Sequence, residues 1–309
     1  MHFFINEYWG QIMNINNLFN EKKVVFSFEI FPPKKESKIS TIYNTLEELK
    51  ELSPDFISVT YGAGGSLSKN MTCEISSIIK NKYGIEPLAH LTCINSSKDE
   101  VEKILNDLKE EGVENVLALR GDIPLDFKGS SDFKYASDLI THIKNRNDFN
   151  IAGACYPEGH LDSKSYEEDL INLRKKQEAG ATHLISQLFF DNEYFYDFLD
   201  KKNKYKINIP VQAGIMPVVN TKQIKRIVSL CGAKVPNKFI KIMDKYEYNP
   251  EALRDAGIAY ATEQIIDLIS SGVDGIHLYT MNNPYVAKKI SSSISSIINT
   301  INNCDNVVN

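Results

Sequence analysis

The chain has 309 residues, 42% of them hydrophobic and 24% charged, with a formal net charge of -5; that composition describes an ordinary globular protein able to bury a sizeable core. The acidic balance argues against a nucleic-acid binder, because it implies no broad basic face, and no stretch approaches the roughly 20 apolar residues of a membrane span. The five cysteines (Cys73, Cys93, Cys155, Cys231 and Cys304) are scattered and never spaced C-x-x-C, which fits reduced thiols in the cytoplasm and proposes no disulfide framework or structural zinc. Among the six histidines there is no H-x-H or H-E-x-x-H pair, so no local metal site is proposed.

The first 20 residues, MHFFINEYWGQIMNINNLFN, are aromatic but interrupted by Asn6, Glu7, Asn14 and Asn16. Lacking a basic start and a continuous apolar run, they read as an N-terminal extension, not a signal peptide. Strand-like runs then recur: VVFSFEIF (24–31), FISVTY (56–61), PLAHLTC (87–93), NVLALRGD (115–122), IAGACYP (151–157), HLISQLFF (183–190), IPVQAGIM (209–216) and GIHLYTM (275–281). Segments such as TIYNTLEELKEL, DEVEKILNDLKEEG and YEEDLINLRKKQEAG lie between them, with apolar residues at helical spacing. Eight strand–helix units predict an α/β fold, a single (β/α)8 TIM barrel over residues 1–309. The long gap before the eighth run accommodates extra helices around 236–245 and 250–271, and the Asn-rich 302–309 reads as a frayed tail.

Alternation along the strands puts Val25, Ser27, Glu29 and Phe31 on one face. By the same rule Val116, Ala118, Arg120 and Asp122 share a face, as do His90 with Thr92 and His277 with Tyr279, while Gln187 stands alone among apolar neighbours. The polar members cluster toward strand C-termini, where barrels of this kind keep their active sites. Glu29 therefore has two readings. It caps the mouth or pairs with an arginine, or it is a general acid, its pKa raised above the ordinary value of about 4.3 by apolar surroundings such as Phe31. Pro32 and Pro33 cannot continue a ladder and end the strand.

Arg120 and Asp122 form either an ion pair closing the lumen or, flanking the small Gly121, a ligand site. YGAGGSLS (61–68) fails G-x-G-x-x-G and reads as a plain βα turn. Arg174, Lys175 and Lys176 read as a solvated helix face. Strand interiors lack lysine, which weakens a Schiff-base reading.

Taken in order, FSFEIFPPK, SVTYGAGGS, AHLTC, LALRGD, ACYPEGH, ISQLFFD and HLYTMN, spanning residues 26 to about 282, resemble the motifs of the methylenetetrahydrofolate reductases. The length resembles the bacterial catalytic subunit, without the regulatory domain of eukaryotic forms. The resemblance implies a cytoplasmic, homo-oligomeric flavoprotein of one-carbon metabolism and methionine biosynthesis. It would reduce 5,10-methylenetetrahydrofolate to 5-methyltetrahydrofolate through FAD, in a ping-pong sequence with NADH or NADPH. By the same resemblance Glu29 protonates folate N5 and opens the five-membered ring, and Asp122 supports the cationic intermediate beside the flavin. Gln187, Gln223 and Tyr279 contact folate; Thr60 and Gln187 contact the nicotinamide nucleotide. Tyr61, Ala63, His90, Arg120, Gly121, Tyr135, Ala136, Tyr156, His160, Asp169, Asn172, Lys175 and Lys176 match FAD-contacting positions, which replaces the solvated-face reading of the last two.

The chain departs from that pattern at Asn283, where an arginine meets the folate tail, at Ile227, where an aromatic stands, and at Lys175, where arginine is common. Two other readings stay open: a non-redox pterin- or folate-binding barrel of a methyl-transfer system, and a metal-dependent lyase on the same barrel.

Overall fold

Eight parallel strands close on themselves: Val25–Ile30 (β1), Phe56–Val59 (β2), Glu86–Thr92 (β3), Asn115–Leu119 (β4), Asn150–Cys155 (β5), His183–Ser186 (β6), Val211–Ile215 (β7) and Gly275–Tyr279 (β8). Each pairs with the next and β8 returns to β1, so the expected (β/α)8 barrel is present. The computed structural model describes residues 14–33, 39–61, 66–122 and 132–304, without the side chains of 66–70, 223 and 230. Its helices are Ile15–Glu21 (α1), Ile39–Lys50 (α2), Ser66–Asn81 (α3), Lys98–Glu110 (α4), Ala136–Arg146 (α5), Tyr166–Ala179 (α6), Asn192–Lys204 (α7), Thr221–Cys231 (α8), Asn237–Tyr246 (α9), Pro250–Ser270 (α10) and Pro284–Asn303 (α11).

The helices begin where the sequence supplies caps. Ser97 and Glu100 form a reciprocal capping box at α4, after which Val101, Leu105 and Leu108 bury one stripe. Asn249 accepts from Ala252 N at 3.0 Å, and Pro250 occupies the first turn of α10, where its missing N–H costs nothing.

Strand register decides which residues look inward. Ser27 pairs with Phe56 and with His277, and Glu29 with Ser58 and with Tyr279, so these share the lumen. On β4 the alternation predicted from sequence is inverted. Leu117 and Leu119 pair with the inward-facing His90 and Thr92, and Leu117 packs with Val25, Phe56 and Leu88 inside the barrel. Val116 and Ala118 face the outer layer with Leu105 and Ile140. Both faces of β4 are apolar, so alternation separates them without saying which is which.

Two further expectations change. Part of the N-terminal extension is α1, whose Ile15 and Leu18 close the barrel floor, with Ile15 N donating to Asn115 Oδ1 at 3.1 Å. Asn302 and Asn303 do not fray: α11 runs through Asn303, and the Asn302 amide bonds both Val24 N (2.9 Å) and Val24 O (3.0 Å), while the rest of the expected tail, 305–309, lies outside the described residues. The helices expected near 236–245 and 250–271 exist as α9 and α10, but α10 is the layer helix, packed on α7, α11, β7 and β8. The additions are α8 and α9, gathered over Leu188, Phe190 and Val218 beyond the strand ends. No described helix is long and apolar enough to cross a membrane.

Candidate functional site

Glu29 is the penultimate residue of β1, with its side chain 19% exposed in the mouth. The chain around it is clamped from β8: Thr280 Oγ1 donates to Glu29 O at 2.6 Å, and Asn282 takes Phe31 N (3.0 Å) and Phe31 O (2.8 Å) on its two amide atoms. Met281 and Asn282 both adopt left-handed φ, 52° and 53°, which folds this turn over β1. The carboxylate's near neighbours are two imidazoles, His90 Nε2 at 3.5 Å and His277 Nε2 at 3.7 Å. That corrects the expectation of an apolar wall: Phe31 is 37% exposed at the rim. Burial pushes the His90 pKa down to about 4 against the opposing pull of Glu29, so His90 is a neutral ring at pH 7.

Beside the acid lies a cavity of about 1070 Å3 over the ends of β3, β4 and β5. Tyr61, Arg120, Gly121, Asp122, Tyr135, Ala136, Tyr156, His160, Asp169, Asn172, Lys175 and Lys176 all line it. β4 stops at Leu119, so Arg120 and Asp122 reach the rim on a loop and not on a strand face. Gly121 makes that turn at φ +85°, where an added Cβ would sit 2.9 Å from Ile94 Cγ2.

Of the two readings of Arg120 and Asp122, the ion pair does not form: Arg120 donates to Asp162 Oδ2 at 2.7 Å, and Asp122 is exposed. Asp169 accepts from His160 N (3.2 Å) and Ser163 Oγ (3.3 Å), holding the turn after β5 against the cavity. Burial raises its pKa and Lys176 pulls the other way. Lys176 donates to Ala154 O at 2.7 Å, and burial lowers its own pKa. Tyr156 packs edge-on against His160 at 4.5 Å, and Lys175 reaches Asn172 Oδ1 at 3.0 Å.

Other expected residues are placed with less freedom. Gln187 follows β6; its amide oxygen accepts from Leu188 N at 2.9 Å, leaving the NH2 as the donor end. Tyr279 gives its hydroxyl to Ser186 O at 2.6 Å across the lumen, an approach that requires Gly214, since a Cβ there would lie 2.7 Å from that hydroxyl. Thr60 continues from β2 with its N bonded to Ile30 O at 3.0 Å. Ala63 and the side chain of Gln223 lie outside the described residues. Asn283 accepts from Val286 N at 3.3 Å and so serves as the cap of α11. Ile227 packs on the cluster under α8 and α9.

Comparison with known proteins decides the family. The sequence pattern of the methylenetetrahydrofolate reductases matches residues 14–295. The chain belongs to the methylenetetrahydrofolate reductase family. Membership carries the coarse activity with it, reduction of methylenetetrahydrofolate. The 5,10-methylenetetrahydrofolate reductase of Pectobacterium carotovorum is 36% identical over 260 residues, covering 84% of this chain and 86% of that protein. The Escherichia coli K12 protein of the same name is 37% identical over 257 residues, covering 83% and 86%. Methylenetetrahydrofolate reductase (NADH) 1 of Arabidopsis thaliana is 35% identical over 285 residues, 87% of this chain but 48% of the plant protein. Among solved structures, an uncharacterized Clostridium thermocellum protein described as binding two copies of 5-methyl-5,6,7,8-tetrahydrofolic acid superposes with a TM-score of 0.65. It is 16% identical, covers 93% of this chain and 99% of that one, and so shares the fold.

Asp162 and Ser58 were not singled out in the sequence of this reductase, whereas alternation on β1 and β8 placed Ser27 and His277 on the inward faces without giving them a role. No signal existed for Asp162, whose partner Arg120 is 42 residues away in the chain. Among the described residues no group of three His, Cys, Asp or Glu is arranged to hold a metal ion.

Proposed function

We propose that this reductase converts 5,10-methylenetetrahydrofolate to 5-methyltetrahydrofolate with FAD held in the cavity and NADH or NADPH as electron donor. The observation that carries the reading is the pairing of a mouth carboxylate, Glu29, with a cavity at the same end of the barrel that is rich in cations. Its volume of about 1070 Å3 stands at the upper end of small-molecule sites, roughly 300–1,000 Å3, as a dinucleotide requires. In its lining Tyr61 Oη is buried without a hydrogen-bond partner, a cost that a polar ligand would remove.

FAD, when bound, supplies a two-electron store that accepts and returns hydride. Lys175, Lys176 and Arg120, with the start of α5 at Tyr135 and Ala136, form the group suited to a diphosphate. To hold a diphosphate, Arg120 would have to release Asp162, its partner at 2.7 Å. Glu29 holds the proton destined for folate N5, and Asp122 at the rim favours the positive charge that develops on the substrate once the ring opens. The Gln187 NH2 is a donor for the pterin or for the nicotinamide carboxamide. The five free thiols support a reducing compartment.

A visible spectrum of the purified protein tests this. Flavin absorption that is bleached by anaerobic NADH or NADPH and restored by methylenetetrahydrofolate is the expected result. A colourless protein that binds 5-methyltetrahydrofolate would instead favour the non-redox reading, for which the Clostridium thermocellum barrel is the precedent.

A further inference from the structure

Behind Glu29 the lumen holds a chain of wholly buried polar groups whose hydrogen positions can be deduced. Gln212 Nε2 lies 3.3 Å from Val25 O and 3.4 Å from Ile276 O. Carbonyl oxygens only accept, so the amide cannot be flipped, and its nitrogen end is the one facing Ser27 Oγ at 3.0 Å. Ser27 Oγ therefore accepts from Gln212 and keeps a single hydrogen to give. His277 Nδ1 stands at 2.7 Å and Ile276 O at 3.5 Å. Were the ring hydrogen on Nδ1, the hydroxyl would have only Ile276 O left, beyond the usual O–H···O reach, so the hydroxyl donates to Nδ1. Nδ1 is then an acceptor, and the ring's hydrogen sits on Nε2, which faces Ser58 Oγ at 3.3 Å and Glu29 Oε2 at 3.7 Å.

We propose that His277 is a positioning residue for Glu29: the Gln212–Ser27 pair locks it as the Nε2–H tautomer, which gives its hydrogen to Ser58 Oγ at 3.3 Å and turns the positive edge of the ring toward the carboxylate 3.7 Å away. That edge, too far from Glu29 for a hydrogen bond, favours by its dipole the carboxylate left when the proton has gone to substrate. The imidazole cannot turn away. Phe56 stacks on it at 6.1 Å, the Tyr279 ring meets it edge-on at 5.4 Å, and His277 itself is 0% exposed. The titratable groups around it are Glu29 on β1, His90 on β3, His183 on β6 and Tyr279 on β8. The functional half of the inference rests on Glu29 being the acid; the tautomer does not.

The two are tested separately. Long-range 1H–15N correlation spectra of the histidine-labelled holoenzyme, with His277 assigned by its loss in His277→Gln, should show the Nε2–H form. An Nδ1–H form would overturn the proposal whatever Glu29 does. In stopped flow, His277→Phe should slow the folate half-reaction by about tenfold, the lower end of what a donor facing a charged group contributes, with flavin reduction unchanged. His277→Gln, which returns an N–H near the Nε2 position, should recover most of it. Equal losses in the two variants, or a loss shared by both half-reactions, would reduce His277 to a packing residue. Should the Phe variant not fold, the tautomer and the Gln variant still decide. A fast Glu29→Gln enzyme with the Nε2–H form intact would overturn the role of the acid and leave the tautomer standing.

Discussion

At the floor of the lumen Val25, Phe56, Leu88, Leu117 and Ile185 meet Ile15 and Leu18 of α1, whereas two to four residues further along β3 and β1 stand His90 and Glu29, beside Tyr279 of β8. The two ends are built from one set of strands and differ in what closes them. A helix covers the floor, so the inward side chains there pack as a core. Loops of unequal length frame the mouth, so polar groups there keep partial access to water or wait for a ligand. Each end holds an imidazole with an unpartnered Nε2: His183 between Phe19 and Phe56 near the floor, and His90 facing Glu29 at the mouth. Stability is concentrated at one end and chemistry at the other.

The sharpest way to test that division is Glu29→Gln. Folate reduction should fall by about 10²–10⁴-fold, the usual contribution of a general acid, while FAD content and its reduction by NADH or NADPH persist. A Gln variant that reduces methylenetetrahydrofolate at nearly the parental rate would remove Glu29 from the mechanism. At the other end, Ile15→Ala should destabilise the fold by about 2–5 kcal/mol, as truncations of buried aliphatic side chains do. Denaturant melts would read the loss. Flavin and folate half-reactions per folded molecule should be unchanged, and a selective slowing of either would blur the boundary between the two ends.

The smallest effect comes from pH. Burial holds the folded pKa of His90 at about 4 and of His183 at about 3, both below the ordinary 6.5. Between pH 6.5 and 5 the unfolded chain therefore gains protons that the folded chain refuses. Stability is complete above pH 6.5 and declines as pH falls, by up to about 2 kcal/mol per histidine at pH 5. Glu29 opposes the effect at His90 and, among the described residues, no carboxylate does so at His183; the two contributions are nearly equal down to pH 5 and part below it, so between pH 5 and 4 His183→Asn should flatten the stability–pH slope more than His90→Asn. Equal slopes in the two variants would mean that the mouth and the floor bury charge at the same cost.

The eight strands and the barrel could be read from the chain, because apolar periodicity is a local property, and part of the cavity lining could be read from the family motifs, though Asp162, which also lines it, could not. Glu29 stood out for the same reason: a lone carboxylate in VVFSFEIF is visible without knowing what it faces. The neighbours of that carboxylate were not visible. His90 and His277 lie on β3 and β8, and only closure of the sheet brings them within 4 Å of a β1 side chain.

Closure also decided the points on which the sequence was silent or misleading. Alternation divides β4 into two apolar faces, and only its register against β3 shows that Leu117 looks inward. Arg120 has carboxylates within reach on two different loops, and the turn at Gly121, with the loop after β5, selects Asp162 over Asp122. The aromatic N-terminal stretch carries no periodicity that announces a plug, and α1 becomes one because the floor of a closed barrel is apolar and needs a cover. Local chemistry sets which groups a chain can offer; the pairing of groups distant in sequence depends on where the sheet joins itself, and that is a property of the closed barrel alone.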